Sequence, residues 1–369
     1  MLALHLLLAS VEAGTMTVHM LDVGQGDSLL LEMPTGEHVL IDAGLRGSDV
    51  AQTLELLGVD DLDLVFTTHP HADHMGGMRD VVLRFPIELY VDSGMPHTTQ
   101  TYNQLMEAVH ARKLDYQPAR RGQVFEYDGV TIEVLWPGET YLTGTRSDLN
   151  SNSVVLRVDH GEDCFLFTGD AEIPTEDALV RGGRVQECEV LKVAHHGSHH
   201  SSGDSFLRAV EPEIALISCG VGNRYKHPGL ETTEALGRMD AVIYRTDMSG
   251  HVTLESSGKG VTVVEGLPTD PHLGPVRDER DALAAVGPSA KPPGTLQQRP
   301  DFVPKPDRPA EQPTDEPVEP QPAEGPEPMD ISGVRPSTGP EPEPVEKPRG
   351  LIARIRAWCQ RRKAAKENE

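Results

Sequence analysis

The chain has 369 residues, 37% of them apolar and only 4% aromatic, and a formal charge of -25 at pH 7. That length permits one sizeable hydrophobic core without requiring order throughout. Residues 1 to 267 carry 18 Lys and Arg against 40 Asp and Glu, which excludes the broad basic surface that binds nucleic acid by displacing phosphate counterions; any polyanion handled here must meet positive charge supplied mostly by metal.

In chain order, Met1 to Gly14 (MLALHLLLASVEAG) is Leu-rich, with small residues such as Ala13 near its end. No Lys or Arg precedes it and it is too short to span a bilayer, so it reads as a signal-like or leader segment, with exported and cytoplasmic placement both open. From residue 15 to 267 the sequence reads as one folded domain. Short β-rich runs come first, MTVHMLD, SLLLEM and HVLIDA, then a helical stretch from Ser48 to Gly58, the apolar run LDLVFTT, a loop of histidines and another helix. A second series follows: VFEYDG, VTIEVLW, SVVLRVD, CFLFTG, a helix from Ile173 to Arg181, CEVLKVA, a helix from Asp204 to Val210, and EIALISC. Strands interleaved with helices imply sheets covered by helices, and two such series imply two sheets face to face, an α/β architecture that a four-layer αββα sandwich accommodates. The four cysteines, Cys164, Cys188, Cys219 and Cys359, show no CxxC spacing. They indicate neither a zinc knuckle nor a disulfide framework, and three of them read as small buried hydrophobes in strand-like runs.

The strongest signal closes LDLVFTT: His69, His71, Asp73 and His74 form an HxHxDH pattern followed by Gly76 and Gly77. Residues two apart in an extended loop project to one side, so His69 and His71 can grip one metal while Asp73 and His74, where a helix begins, turn toward a second. Imidazole and carboxylate donors together suit Zn, Mn or Fe. A two-metal site also needs a carboxylate shared by both ions and a further histidine. Asp170 after CFLFTG and the His195-His196 pair after CEVLKVA stand at strand ends where they can serve. Which member of that pair ligates is open, because adjacent residues at a strand end point to opposite sides.

In this order the motifs resemble the metallo-β-lactamase superfamily. The match narrows with His19 to Ser28 (HMLDVGQGDS), Leu40 to Gly44 (LIDAG), Asn152 to Leu156 (NSVVL), Lys192 to Ser198 (KVAHHGS) and Asn223 to Pro228 (NRYKHP). The series is similar to the hydrolase domain of ComEC-type DNA-uptake proteins over residues 16 to 266. The resemblance implies the αββα metallo-β-lactamase sandwich, two divalent ions (Zn or Mn), and hydrolase chemistry with phosphodiester cleavage of DNA as the leading activity. It assigns His69, His71, Asp73, His74, Asp170 and one of His195 or His196 to the metals, and makes Asp42 a structural support behind the ligand loop. Many superfamily members carry another ligand histidine where this chain has Asn152-Ser153, which leaves one metal short of a donor; His97, after YVDSGMP, is a candidate for that place. The transmembrane region that accompanies the domain in uptake proteins is not in this sequence, so the chain is not expected to form a channel by itself.

The implied chemistry is a metal-bridged hydroxide attacking phosphorus or a carbonyl carbon, oriented by Asp73, with His227 hydrogen-bonding or protonating the leaving oxygen. Gln25, Asp27, Asn152, Ser153 and Ser198 are candidates for touching substrate. Three classes of function remain: a phosphodiesterase or nuclease acting on DNA or another phosphodiester, a hydrolase of small esters, lactones or thioesters, and a non-catalytic metal-binding module. Beyond the domain, residues 268 to 349 hold 21 of the 30 prolines and read as a disordered Pro/Glu-rich linker favouring polyproline II. Residues 350 to 369 place Leu351, Ile352, Ile355 and Trp358 at helical spacing among Arg354, Arg356, Arg361, Arg362 and Lys363. That is a basic amphipathic helix suited to an anionic membrane surface or a partner's groove.

Overall fold

A computed structural model describes residues 14–266, 268–269, 271–272 and 274–276; nearly all of the leader, most of the proline-rich stretch and the C-terminal helix lie outside the described residues. The first part of the chain lays down β1 (Met16–Met20), β2 (Leu29–Glu32), β3 (His38–Ile41), helix α1 (Val50–Leu57), β4 (Leu62–Thr67), the short α2 (Ala72–Met75), α3 (Met78–Arg84), β5 (Ile87–Asp92), α4 (Gln100–Arg112) and β6 (Asp115–Pro118). Next come β7 (Val124–Tyr127), β8 (Val130–Trp136), β9 (Val155–His160), β10 (Asp163–Phe167), α5 (Ile173–Arg181), β11 (Val190–Lys192), α6 (Asp204–Val210), β12 (Ile214–Ile217), α7 (Leu230–Gly237), β13 (Val242–Arg245) and α8 (Thr246–Ser249). The chain then returns through β14 (Val252–Ser256) and β15 (Val261–Glu265) and closes on β16 (Pro268–Thr269).

These strands form two sheets, ordered β15-β14-β1-β2-β3-β4-β5-β6 and β16-β13-β12-β11-β10-β9-β8-β7. Alternation along each strand separates the layers. Met16, Val18, Val39, Phe66, Val134, Leu156, Phe165 and Phe167 meet in the core between the sheets. The opposite parity of the first sheet, Leu40 and Val65, packs under Val50, Val81 and Leu105 of α1, α3 and α4, and that of the second, Leu166 and Leu191, packs under Leu179, Phe206 and Leu236 of α5, α6 and α7. The result is the four-layer αββα order. Strands β3 to β6 run parallel, as do β10 to β13, so the carboxyl ends of β3, β4, β10, β11 and β12 emerge along one rim.

Two expectations change. Cys164 and Cys188 form a disulfide, Cα to Cα 5.0 Å across 24 residues of sequence; no local spacing announces it, because the parallel pairing of β10 with β11 is what brings the two together. Only Cys219 is a free, buried thiol among the described cysteines. Ordered packing also continues past residue 267. Pro268 pairs with Tyr244, Gly222 N donates to Val276 O at 2.8 Å, and Val276 is buried. Proline-rich composition hides this strap, since β16 needs only an edge strand, where proline is tolerated.

Candidate metal centre

The rim gathers the ligand candidates. After β4 the chain bends at His69 and Pro70, and α2 starts at Ala72 with His71 at its N-cap in β conformation. Asp42 follows β3 with a left-handed φ of 60° and is fully buried. Its carboxylate accepts Thr68 N and Thr68 Oγ1, both at 2.7 Å, and His74 Nδ1 at 2.8 Å. With Thr68 donating to Asp42, His69 Nδ1 donates to Thr68 Oγ1 at 3.1 Å. Both rings are thereby turned so that Nε2 faces inward. The inward nitrogens converge: His69 Nε2 and His71 Nδ1 stand 3.0 Å apart.

Asp170 follows β10 and points its two oxygens at different histidines. Oδ1 lies 3.2 Å from His74 Nε2 and 3.6 Å from His196 Nε2, while Oδ2 lies 3.8 Å from His69 Nε2 and 3.6 Å from His195 Nε2. Asp73 Oδ2 stands 3.5 Å from His196 Nε2. The structure thus brings together all seven residues expected to hold metal, and brings both His195 and His196 to Asp170. Both adopt left-handed backbone, φ 50° and 54°. For non-glycine residues that conformation costs free energy and persists only when the surroundings enforce it. His196 is pinned by Ser218 O at 3.0 Å from Nδ1 and by Asp27 Oδ1 at 3.2 Å. His195 is met at Nδ1 by Glu172 Oε1, 3.4 Å away. His97 instead pairs with Thr99 Oγ1 at 3.0 Å, its ring centroid 6.4 Å from that of His71.

The donor set fits metal. His74 Nε2, His196 Nε2 and Asp170 Oδ1 are buried and without hydrogen-bond partners, a cost of about 1–3 kcal/mol each if nothing meets them. Two triads, His69-His74-Asp170 and Asp73-His74-His196, each keep their ligand atoms within 4.8 Å. Four carboxylates, Asp27, Asp42, Asp73 and Asp170, crowd the same space, and buried anions demand cations. The ring pKa values show the demand. Burial would push His74 down, yet Asp170 and Asp42 hold it well above the usual range; His196, opposed by burial in the same way, is raised to about 9 by Asp170 and Asp27. Burial keeps His69 well below its ordinary value and lowers His71, leaving both neutral and able to coordinate.

The residues expected to touch substrate take other places. Asp27 is buried and paired with Lys192 Nζ, and Gly26 before it passes so close to α2 that a Cβ would lie 2.1 Å from Asp73 O. Asn152 is saturated by Leu142 N, Leu142 O and Asp148 O, Ser153 Oγ accepts Asp170 N at 3.2 Å, and Ser198 Oγ accepts His200 N. All four are buried and brace the surroundings of the centre in this structure. Gln25 stays near the surface, its Oε1 accepting Gly220 N at 3.3 Å and its Nε2 unpartnered. His227 lies beside the pair, ring centroids 5.5 Å from His195 and 6.2 Å from His196. Burial and those two rings lower its pKa to about 4, so it is a neutral ring at pH 7 rather than an imidazolium acid.

Glu172 and Lys192 were not singled out from sequence. Glu172 accepts Arg146 Nη2 and Asn150 Nδ2 and faces His195. Lys192 donates to Asp27 and to Gly169 O at 3.1 Å. A lysine inside the apolar run EVLKVA was the available signal, because a buried ammonium needs an acid.

Comparison with known proteins follows the same residues. Residues 21–221 match the family described as Metallo-beta-lactamase superfamily. ComE operon protein 3 of Bacillus subtilis is 28% identical over 255 residues, covering 64% of this chain and 32% of that protein. Recombination protein 2 of Haemophilus influenzae is 31% identical over 255 residues, 67% of this chain and 30% of that one. Competence protein ComA of Neisseria gonorrhoeae is 33% identical over 234 residues, 62% and 30%. The chain spans about a third of the length of these relatives, and they bear out the resemblance read from the motif series.

Proposed function

The chain belongs to the metallo-β-lactamase superfamily of hydrolases, and from that premise we propose that it is a two-metal enzyme cleaving phosphodiesters. One observation carries the reading: the two oxygens of Asp170 face separate nitrogen sets, His74 and His196 on one side, His69 and His195 on the other. A carboxylate so placed could serve both ions of a two-metal site. In this assignment His69, His71 and His195 would hold one ion and Asp73, His74 and His196 the other, with His195 taking the place of the histidine that Asn152-Ser153 lacks.

When bound, two divalent ions (Zn or Mn) supply Lewis acidity and positive charge at the reacting centre. The chain's own groups do the rest. Asp42 with Thr68, Asp27 with Ser218, and Glu172 fix the rings of His69, His74, His196 and His195. Asp73, whose side chain keeps 24% of its surface exposed, is the carboxylate placed to accept a proton from the attacking water. His227, neutral at pH 7, donates a hydrogen bond to the departing oxygen.

The relatives named for competence and recombination support a phosphodiester as the substrate class. A second reading, hydrolysis of small esters, lactones or thioesters, is favoured by the acidity of the domain. The test is the metal-loaded protein against single-stranded DNA, bis-p-nitrophenyl phosphate and a lactone panel. Cleavage of the first two with Zn or Mn is expected. Efficient lactone hydrolysis with DNA left uncut would replace the phosphodiester reading with the second.

A further inference from the structure

The turn after β12 carries an aromatic ring that the centre does not use. Tyr225 is 51% exposed, yet its backbone is held firmly. Asn223 Oδ1 accepts His227 N at 2.9 Å, Asn223 Nδ2 donates to Gly220 O at 2.8 Å and to His227 O at 2.7 Å, and Lys226 N closes on Asn223 O at 3.1 Å. Single exposed aromatics are ordinary on protein surfaces. This one is set beside the metal centre: its ring lies 24° from parallel with that of His227, centroids 5.7 Å apart, and His227 in turn abuts His195 and His196. Arg224 places its guanidinium 4.9 Å from the Tyr225 centroid and donates from Nη2 to the phenol oxygen at 2.8 Å.

We propose that Tyr225, with Arg224 across it, is a stacking subsite for an unpaired nucleobase at the mouth of the centre, so that the enzyme takes single-stranded nucleic acid ahead of duplex. The proposal rests on the phosphodiesterase reading and names its substrate class. Every base has a π-face, and an aromatic ring beside a cation holds base and phosphate together without reading sequence. Bases in a duplex are already stacked on one another and cannot leave for Tyr225 without unpairing. The pair also answers the charge problem of the acidic domain, because stacking gives affinity that does not depend on a basic surface.

The test is equilibrium binding, read by fluorescence anisotropy, of a labelled phosphorothioate thymidine octamer and an abasic strand of equal length to the metal-loaded full chain. Wild type, Tyr225→Phe and Tyr225→Ala are compared. The alanine variant is expected to bind the thymidine strand tenfold or more weakly, the phenylalanine variant to stay within twofold of wild type, and the abasic strand to lose less than twofold on going to alanine. Alanine binding the thymidine strand within twofold of wild type, or wild type binding both strands equally, overturns the subsite. If the binding pattern holds while an unmodified strand is not cut under the same metal loading, the subsite stands and the phosphodiesterase reading falls.

Discussion

At the scale of single residues, His195 and His196 both face Asp170, and in the proposed assignment each would serve a different ion. Removing either ring as Ala is expected to cost one metal equivalent per chain and leave the other in place, measured by metal titration of the purified variants. Loss of both equivalents from one variant and none from the other would return the site to a single ligating histidine. The alternative was legible in the sequence only as an alternative, because two adjacent residues in regular extended chain point apart. What brings both inward is left-handed backbone at each position, which no residue-type preference for histidine announces. HxHxDH was readable for the opposite reason: its spacing matches the ordinary geometry of a loop running into a helix. Of the supports, Asp42 was legible through the resemblance, whereas the burial of Asn152, Ser153 and Ser198 and the bonds they make depend on partners distant in sequence or on the fold of their loops.

At the scale of elements, helices α5 and α6 occur where the sequence places them, at Ile173–Arg181 and Asp204–Val210, and the strands that precede HxHxDH and Asp170 end at Thr67 and Phe167. Apolar periodicity and the turns flanking it are local, so they survive into the fold. The return of β14 and β15 to the edge beside β1, Met16 opposite Ser256, is a pairing between the two ends of the domain and has no local signature. The disulfide is of the same kind. It links Cys164 in β10 to Cys188 just before β11, closing a loop that contains α5 and so bracing the strand pair from which Asp170 and His195 emerge. By the loop-closure entropy of 24 residues, its removal is expected to cost about 3 kcal/mol. Urea unfolding of the oxidised protein and of the Cys164→Ala, Cys188→Ala double variant checks this; coincident transitions would show that the bridge contributes nothing.

At the scale of the whole molecule, charge is the feature a phosphodiesterase must contend with. Residues 1 to 267 carry a formal -22, and repulsion of a polyanion acts over about 10 Å at 0.1 M salt, weakening as salt rises. Cleavage of single-stranded DNA at subsaturating concentration is therefore expected to rise between about 0.01 and 0.15 M salt, where a basic nuclease would lose affinity steeply; a fall over that range would mean that phosphate contacts outweigh the field. No helix among the described residues is long and apolar enough to cross a membrane, and the chain spans about a third of its curated relatives. The proposed metal centre is tested most directly by counting bound metal per chain in wild type and Asp170→Asn, with bis-p-nitrophenyl phosphate turnover measured on the same samples. Two equivalents in wild type are expected, with affinity for both reduced more than about a hundredfold in the variant and turnover lost in parallel, while far-UV circular dichroism stays unchanged. Two equivalents and undiminished turnover in Asp170→Asn would contradict the two-metal assignment.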